Sequence, residues 1–77
     1  MEKIKEALND SLKEMGLFVY EINYKNKQLN IILDSDDVID IDRIVKATKI
    51  INPILDKNDF IKENYILDVS SREKGGN

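Results

Sequence analysis

The stretch LFVYEINYKNKQLNIILD, residues 17–34, decides the fold. Its first half places Phe18, Tyr20, Ile22 and Tyr24 at period two, in a run rich in aromatic and β-branched residues, which predicts a strand. Asn26 and Lys27 make a polar break. QLNIILD then alternates, with Leu29, Ile31 and Leu33 on one side and Gln28, Asn30 and Asp34 on the other. Two such strands around a short break predict a β-hairpin. The parity sends Tyr20, Ile22 and Tyr24 into the core, with Phe18 burying against Met15 at the strand's start. It leaves Leu17, Val19, Glu21 and Asn23 on the opposite, open face, where residual apolar surface marks a contact site.

Working outward, EKIKEALNDSLKEMG repeats Ile4, Ala7, Leu8, Leu12 and Met15 at spacings of three and four, which predicts an amphipathic helix. Gly16 is placed to end it in a left-handed turn. On the other side, residues 41–56 carry a second stripe: Ile41, Ile44, Val45, Thr48, Ile51 and Leu55, broadened by Ala47, Ile50 and Ile54. Asp40 is its expected N-cap, because a carboxylate can accept a bond from an orphan amide of the first turn. Pro53 should kink the last turn, since its ring displaces a carbonyl and it has no amide to donate. A polar connection with Phe60 and Ile61 as anchor leads to YILDVS, a third alternating strand with Tyr65, Leu67 and Val69 inward. The expected core joins Tyr20, Ile22, Leu29, Ile31, Leu33, Leu67 and Val69 to Leu8, Leu12, Ile44 and Ile51.

The order helix, strand, strand, helix, strand predicts a single α+β domain over residues 1–71 and a polar tail or linker over 72–77. Three short strands and two helices give one layer of each, with both helices on one face. The first strand is the most apolar, which places it centrally, in order 2-1-3 with every pair antiparallel. Such an order is compatible with the type II KH-like topology, although no G-x-x-G loop occurs.

Composition narrows function. Fifteen acidic residues against twelve basic ones give a net charge of -3, which is not the footprint of a free-standing nucleic-acid binder. The chain has no histidine and no cysteine, so a serine such as Ser70 or Ser71 lacks the usual activating base and a thiolate metal site is excluded. The absence of cysteine fits a reducing cytoplasm. No apolar run approaches the roughly 20 residues that a membrane helix needs, and MEKIKEALND has no signal-peptide apolar core.

The chemistry that remains is in LDSDDVIDID, residues 33–42, with five aspartates. Counted from Asp34 as an EF-hand calcium loop, Asp36 fits position three, but Val38, Ile39 and Val45 stand where an oxygen ligand, glycine and glutamate belong. Asp40 and Asp42 are accounted for by the helix dipole, which favours acids in the first turn. Asp36 and Asp37 are surplus, mutually repelling charge, and point to an acidic surface for a basic partner.

In this order the pieces resemble the N-terminal domain of the ribosome maturation factor RimP family. Gly16 opens LFVYEINY with Glu21 at the family's acidic position, IILD closes the second strand at Asp34, and IDIDR over residues 39–43 matches the start of the second helix. Pro53-Ile54-Leu55-Asp56 matches the end of that helix, and Tyr65-Ile66-Leu67-Asp68-Val69-Ser70-Ser71 matches the family's third strand. After the double serine this chain departs, reading Arg72-Glu73-Lys74-Gly75-Gly76 where the family has proline-glycine. The family also has a second, small β-barrel domain, which these 77 residues do not contain. The resemblance implies a cytoplasmic factor that acts by binding, and the residues add the expectation of a monomeric, non-catalytic chain without cofactor, metal or small-molecule substrate. It would assist small-subunit assembly by binding a precursor particle or a basic ribosomal protein, with contact to ribosomal RNA as a further expectation. The residues expected to meet the partner are Asp34, Asp36, Asp37, Asp40, Asp42, Glu21, Ser70, Ser71 and Arg72. Two alternatives are a KH-like RNA-binding module and a structural half whose binding lies in the other domain.

Overall fold

Helix α1 spans Glu2–Leu12 and buries Ile4, Leu8 and Leu12, one residue per turn. A 3₁₀ turn over Lys13–Met15 tightens its end. Gly16 follows at φ 73°, its amide bonding to the Lys13 carbonyl and that of Leu17 to the Leu12 carbonyl. This pair of bonds is a Schellman stop, and buried Leu12 and Leu17 supply its apolar contact. The computed structural model describes residues 2–58 and 61–72. The remaining elements are β1 (Phe18–Lys25), β2 (Gln28–Asp34), α2 (Ile41–Asn58) and β3 (Ile66–Ser71), in the order expected for the α+β domain.

Asn26 and Lys27 both have positive φ, 53° and 60°, as a two-residue hairpin turn of the primed type requires. Strands β1 and β2 pair antiparallel from Lys25↔Gln28 to Phe18↔Asp34. The sheet order is β1-β2-β3, and β3 runs parallel to β2 from Gln28↔Ile66 to Leu33↔Ser71. The expected order 2-1-3 and its all-antiparallel pairing are therefore wrong. The physical reason is burial: Leu29, Ile31 and Leu33 are fully buried, a degree of cover that the central position provides. Helix α2 then acts as the crossover that returns the chain beside β2 in the same direction.

A bulge corrects the second expectation. The register passes from Val19↔Leu33 directly to Glu21↔Ile32, so Tyr20 is an extra residue and the parity of β1 reverses there. Leu17 and Val19 are in the core, not on the open face. Phe18 and Tyr20 are exposed, Tyr20 at 44%, whereas Ile22 and Tyr24 beyond the bulge pack inward as expected. The Asn9 carboxamide oxygen accepts the Val19 amide at 2.7 Å, linking α1 to the irregular end of the strand.

The core unites Ile4, Leu8 and Leu12 of α1 with Leu29, Ile31 and Leu33 of β2 and Ala47, Ile51 and Leu55 of α2. Ile44, Leu67, Val69 and Ile61 are half-buried against it. Ile41 and Val45, read as part of the inward stripe, are exposed, because the buried face of α2 is centred on Ala47, Ile51 and Leu55. That helix continues past Pro53 to Asn58. The expected anchor Phe60 and tail residues 73–77 lie outside the described residues. Among those described, no helix is long and apolar enough to cross a membrane.

Candidate functional site

The acidic loop joins the end of β2 to α2, and each of its acids has a different environment. Asp34 ends β2 opposite Phe18 and is buried. One carboxylate oxygen accepts the Ser35 amide at 2.8 Å, and the other lies 3.2 Å from the Arg72 guanidinium. Arg72 also sits over the Tyr20 ring, 4.2 Å from its centroid, so the bulge residue and the residue after β3 meet on the open face. Next to this group, Glu21, Ile32 and Ser70 form a row across the three strands. Glu21 accepts a bond from the Asn23 side chain at 2.6 Å. Ser71 pairs with Leu33 and has the inward parity, but it lies on the outer strand and is exposed.

Loop residues Ser35 to Asp40 form a second group. The buried Ser35 hydroxyl bonds within the loop to Asp37, at 2.6 Å to its carbonyl and 2.9 Å to its carboxylate. Arg43, in the first turn of α2, binds Asp37 at 2.7 Å and the Val38 carbonyl at 2.9 Å. Its other terminal nitrogen donates to the Met15 carbonyl at 2.8 Å, fastening the loop to the end of α1. Gly16 lies beside that guanidinium, but a Cβ there would meet it only in ordinary contact at 3.5 Å; glycine is favoured at this position by its φ of 73°. The guanidinium and the Ser35 hydroxyl hold the Asp37 carboxyl below the usual carboxylate range. Asp37 is therefore not surplus charge, as the sequence suggested. Asp40 accepts the Arg43 amide at 2.9 Å, the expected N-cap.

Asp36 and Asp42 remain exposed, and neither joins an ion pair among the described residues. The loop acids point to separate partners, Asp34 to Arg72 and Asp37 to Arg43. Among the described residues no three His, Cys, Asp or Glu side chains converge on a point that could hold a metal ion. Sequence reasoning missed Arg43 altogether. An arginine in a helix's first turn opposes the dipole, and that misplaced charge was the one signal that it serves something else.

Residues 7–72 match the family described as the RimP N-terminal domain. That span runs from within α1 to Arg72, and so contains the hairpin, the bulge, the acidic loop and β3. Given this match over most of its length, the chain belongs to the RimP N-terminal domain family, a family of ribosome maturation factors associated with assembly of the small subunit.

Proposed function

We propose that this chain assists small-subunit assembly in the cytoplasm by reversible, non-catalytic binding to a basic ribosomal protein, alone or on a precursor particle. The observation that supports this most directly is the state of the loop and the helix turn that follows it: Arg43 and Ser35 fix the loop backbone while Asp36 in the loop and Asp42 in the first turn of α2 stay exposed without an ionic partner among the described residues. Charge on a pre-organised loop attracts a basic partner without a large ordering cost on binding. The open-face row of Glu21 and Ser70, with Arg72 beside it, extends the contact across the sheet. Asp34, Asp37 and Asp40 shape the surface by fixing Arg72, Arg43 and the helix start.

The test is capture of small-subunit precursors by the chain and by Asp36→Asn/Asp42→Asn, at low and high salt. The double variant should bind less at low salt, and the two proteins should converge as salt shortens the screening length from about 10 Å to a few Å. Equal capture at every salt concentration would remove the loop from the interface.

A further inference from the structure

The two edges of the sheet are treated differently. The β1 edge is interrupted by the bulge at Tyr20, its Val19 amide is taken by Asn9, and it ends in Lys25, all devices that discourage strand addition. The β3 edge has none of these. ILDVSS contains no proline, no lysine and no break in register against β2. Ile66 donates its amide to the Lys27 carbonyl at 2.8 Å and Arg72 to the Leu33 carbonyl at 2.7 Å. With a period of two, the even-numbered residues face β2, and the amides and carbonyls of Leu67, Val69 and Ser71 point away from the sheet. Among the described residues no strand lies on that side.

Above the same edge α2 carries an unburied stripe. Ile41 is 79% exposed and Val45 46%, and Asn52 lies seven residues further along the same helical face. Asn52 and Asp56 line an open groove of about 600 Å³ together with Tyr65 and Leu67, which places this face of α2 over the outer side of β3. On the other face, Ile66 is 69% exposed beside Asp68. Exposed Asp56 and Asp68 flank the edge, with Glu63 beside them accepting the Tyr24 hydroxyl; the neighbouring bases are Lys62 and, at the start of β3, Lys27, while Arg72 is engaged by Asp34 and Tyr20.

We propose that the outer edge of β3 is a strand-addition site that takes an extended basic segment of the partner protein as a fourth strand. The identity of the occupant rests on the preceding reading of a basic protein partner. Backbone bonds to Leu67, Val69 and Ser71 supply affinity, apolar side chains on one parity cover Ile41 and Val45, and basic ones meet the surrounding carboxylates. Charge selects this occupant over two others. A nucleic acid strand would meet net negative charge, and a second copy of the chain would bring its own net -3 and a second Asp68 to the same edge.

The experiment is amide hydrogen exchange on the chain with a synthetic peptide of alternating lysine and valine, and with a glutamate–valine peptide of equal length. Lysine–valine peptide should slow exchange at Leu67, Val69 and Ser71 by about tenfold or more, with the β1 edge unchanged and the glutamate peptide weaker. Ser71→Pro, which removes an outward amide from an exposed residue and none of the bonds to β2, should weaken that peptide's binding while leaving the melting temperature near that of the parent. Unchanged exchange at the three amides, or protection that develops with protein concentration alone, would overturn the proposal. Capture of precursor particles is scored separately. Capture with these amides still exchanging freely in the complex would leave the function standing and sink the edge site. Peptide protection without capture would do the reverse.

Discussion

Strands β1 and β2 are neighbours in one hairpin, yet only one of them follows its own alternation. In β2, Leu29, Ile31 and Leu33 all face the core, and the intervening residues face the other way. In β1 the same rule holds only from Glu21 onward, because Tyr20 is inserted and everything before it changes face. The difference teaches that period two describes an uninterrupted ladder and carries no information about where the ladder slips. An aromatic-rich run with apolar residues at both parities, such as Leu17–Phe18–Val19–Tyr20, fits either phase.

The sharpest way to break the comparison is to truncate one residue in each strand. Ile31→Ala, at a fully buried position in β2, should cost about 2–5 kcal/mol, a large part of a small domain's total. Tyr20→Ala should cost only about 0.5–1 kcal/mol, the order of a partly exposed cation–π contact with Arg72. Chemical denaturation of both checks this, and equal losses would mean that Tyr20 is inside after all.

A smaller effect is expected where the bulge meets α1. Asn9→Ala removes the acceptor of the part-buried Val19 amide and should destabilise by about 1–3 kcal/mol, measured the same way. A loss no larger than that of a neutral surface change would show that water replaces the carboxamide.

The turn between the strands allows a change of opposite sign. Lys27 is held at φ 60°, where glycine is favoured, so Lys27→Gly should raise stability by up to about 1 kcal/mol. Thermal melting reads this directly, and a lower midpoint would place the cost of freeing the unfolded chain above the relief of strain.

The smallest effect concerns pH. Asp37 has a carboxyl pKa lowered by Arg43 and Ser35, so its stabilisation is complete above the ordinary value of about 3.9 and is lost as pH falls through the folded value. Asp37→Asn should therefore lower the melting temperature near neutrality and flatten its dependence below about pH 4. Tyr24 behaves in the opposite sense. Its bond to Glu63 pushes the phenol up to about 12, so that contribution persists below the ordinary value near 10 and disappears as pH rises through 12.

What was legible in the sequence was local. Gly16, the Asp40 cap, the inward residues of β2 and the element order each depend on neighbours within about one turn or one strand. What was not legible is decided across space. The place of β3 beside β2, the role of Arg43 between Met15 and Val38, and the meeting of Tyr20, Asp34 and Arg72 each join residues far apart in the chain. The acidic stretch lies between these cases: its charge could be read, but not which of its acids already had arginine partners.

The parallel pairing of β2 with β3 has a consequence for how the molecule assembles. The hairpin closes over two residues at Asn26 and Lys27, whereas Gln28 and Ile66, its nearest partner across the parallel ladder, are 38 positions apart (66 − 28). Long closures carry most of their entropic cost before any contact compensates it, so the hairpin with α1 should form the folding nucleus and β3 should dock late. A substitution such as Leu67→Ala would then speed unfolding and leave the folding rate nearly unchanged, whereas one at Ile31 would slow folding. On that order of assembly β3, the last strand to arrive, should also be the first to leave, and the outer rim of the sheet should be the part that can be remade without dissolving the rest.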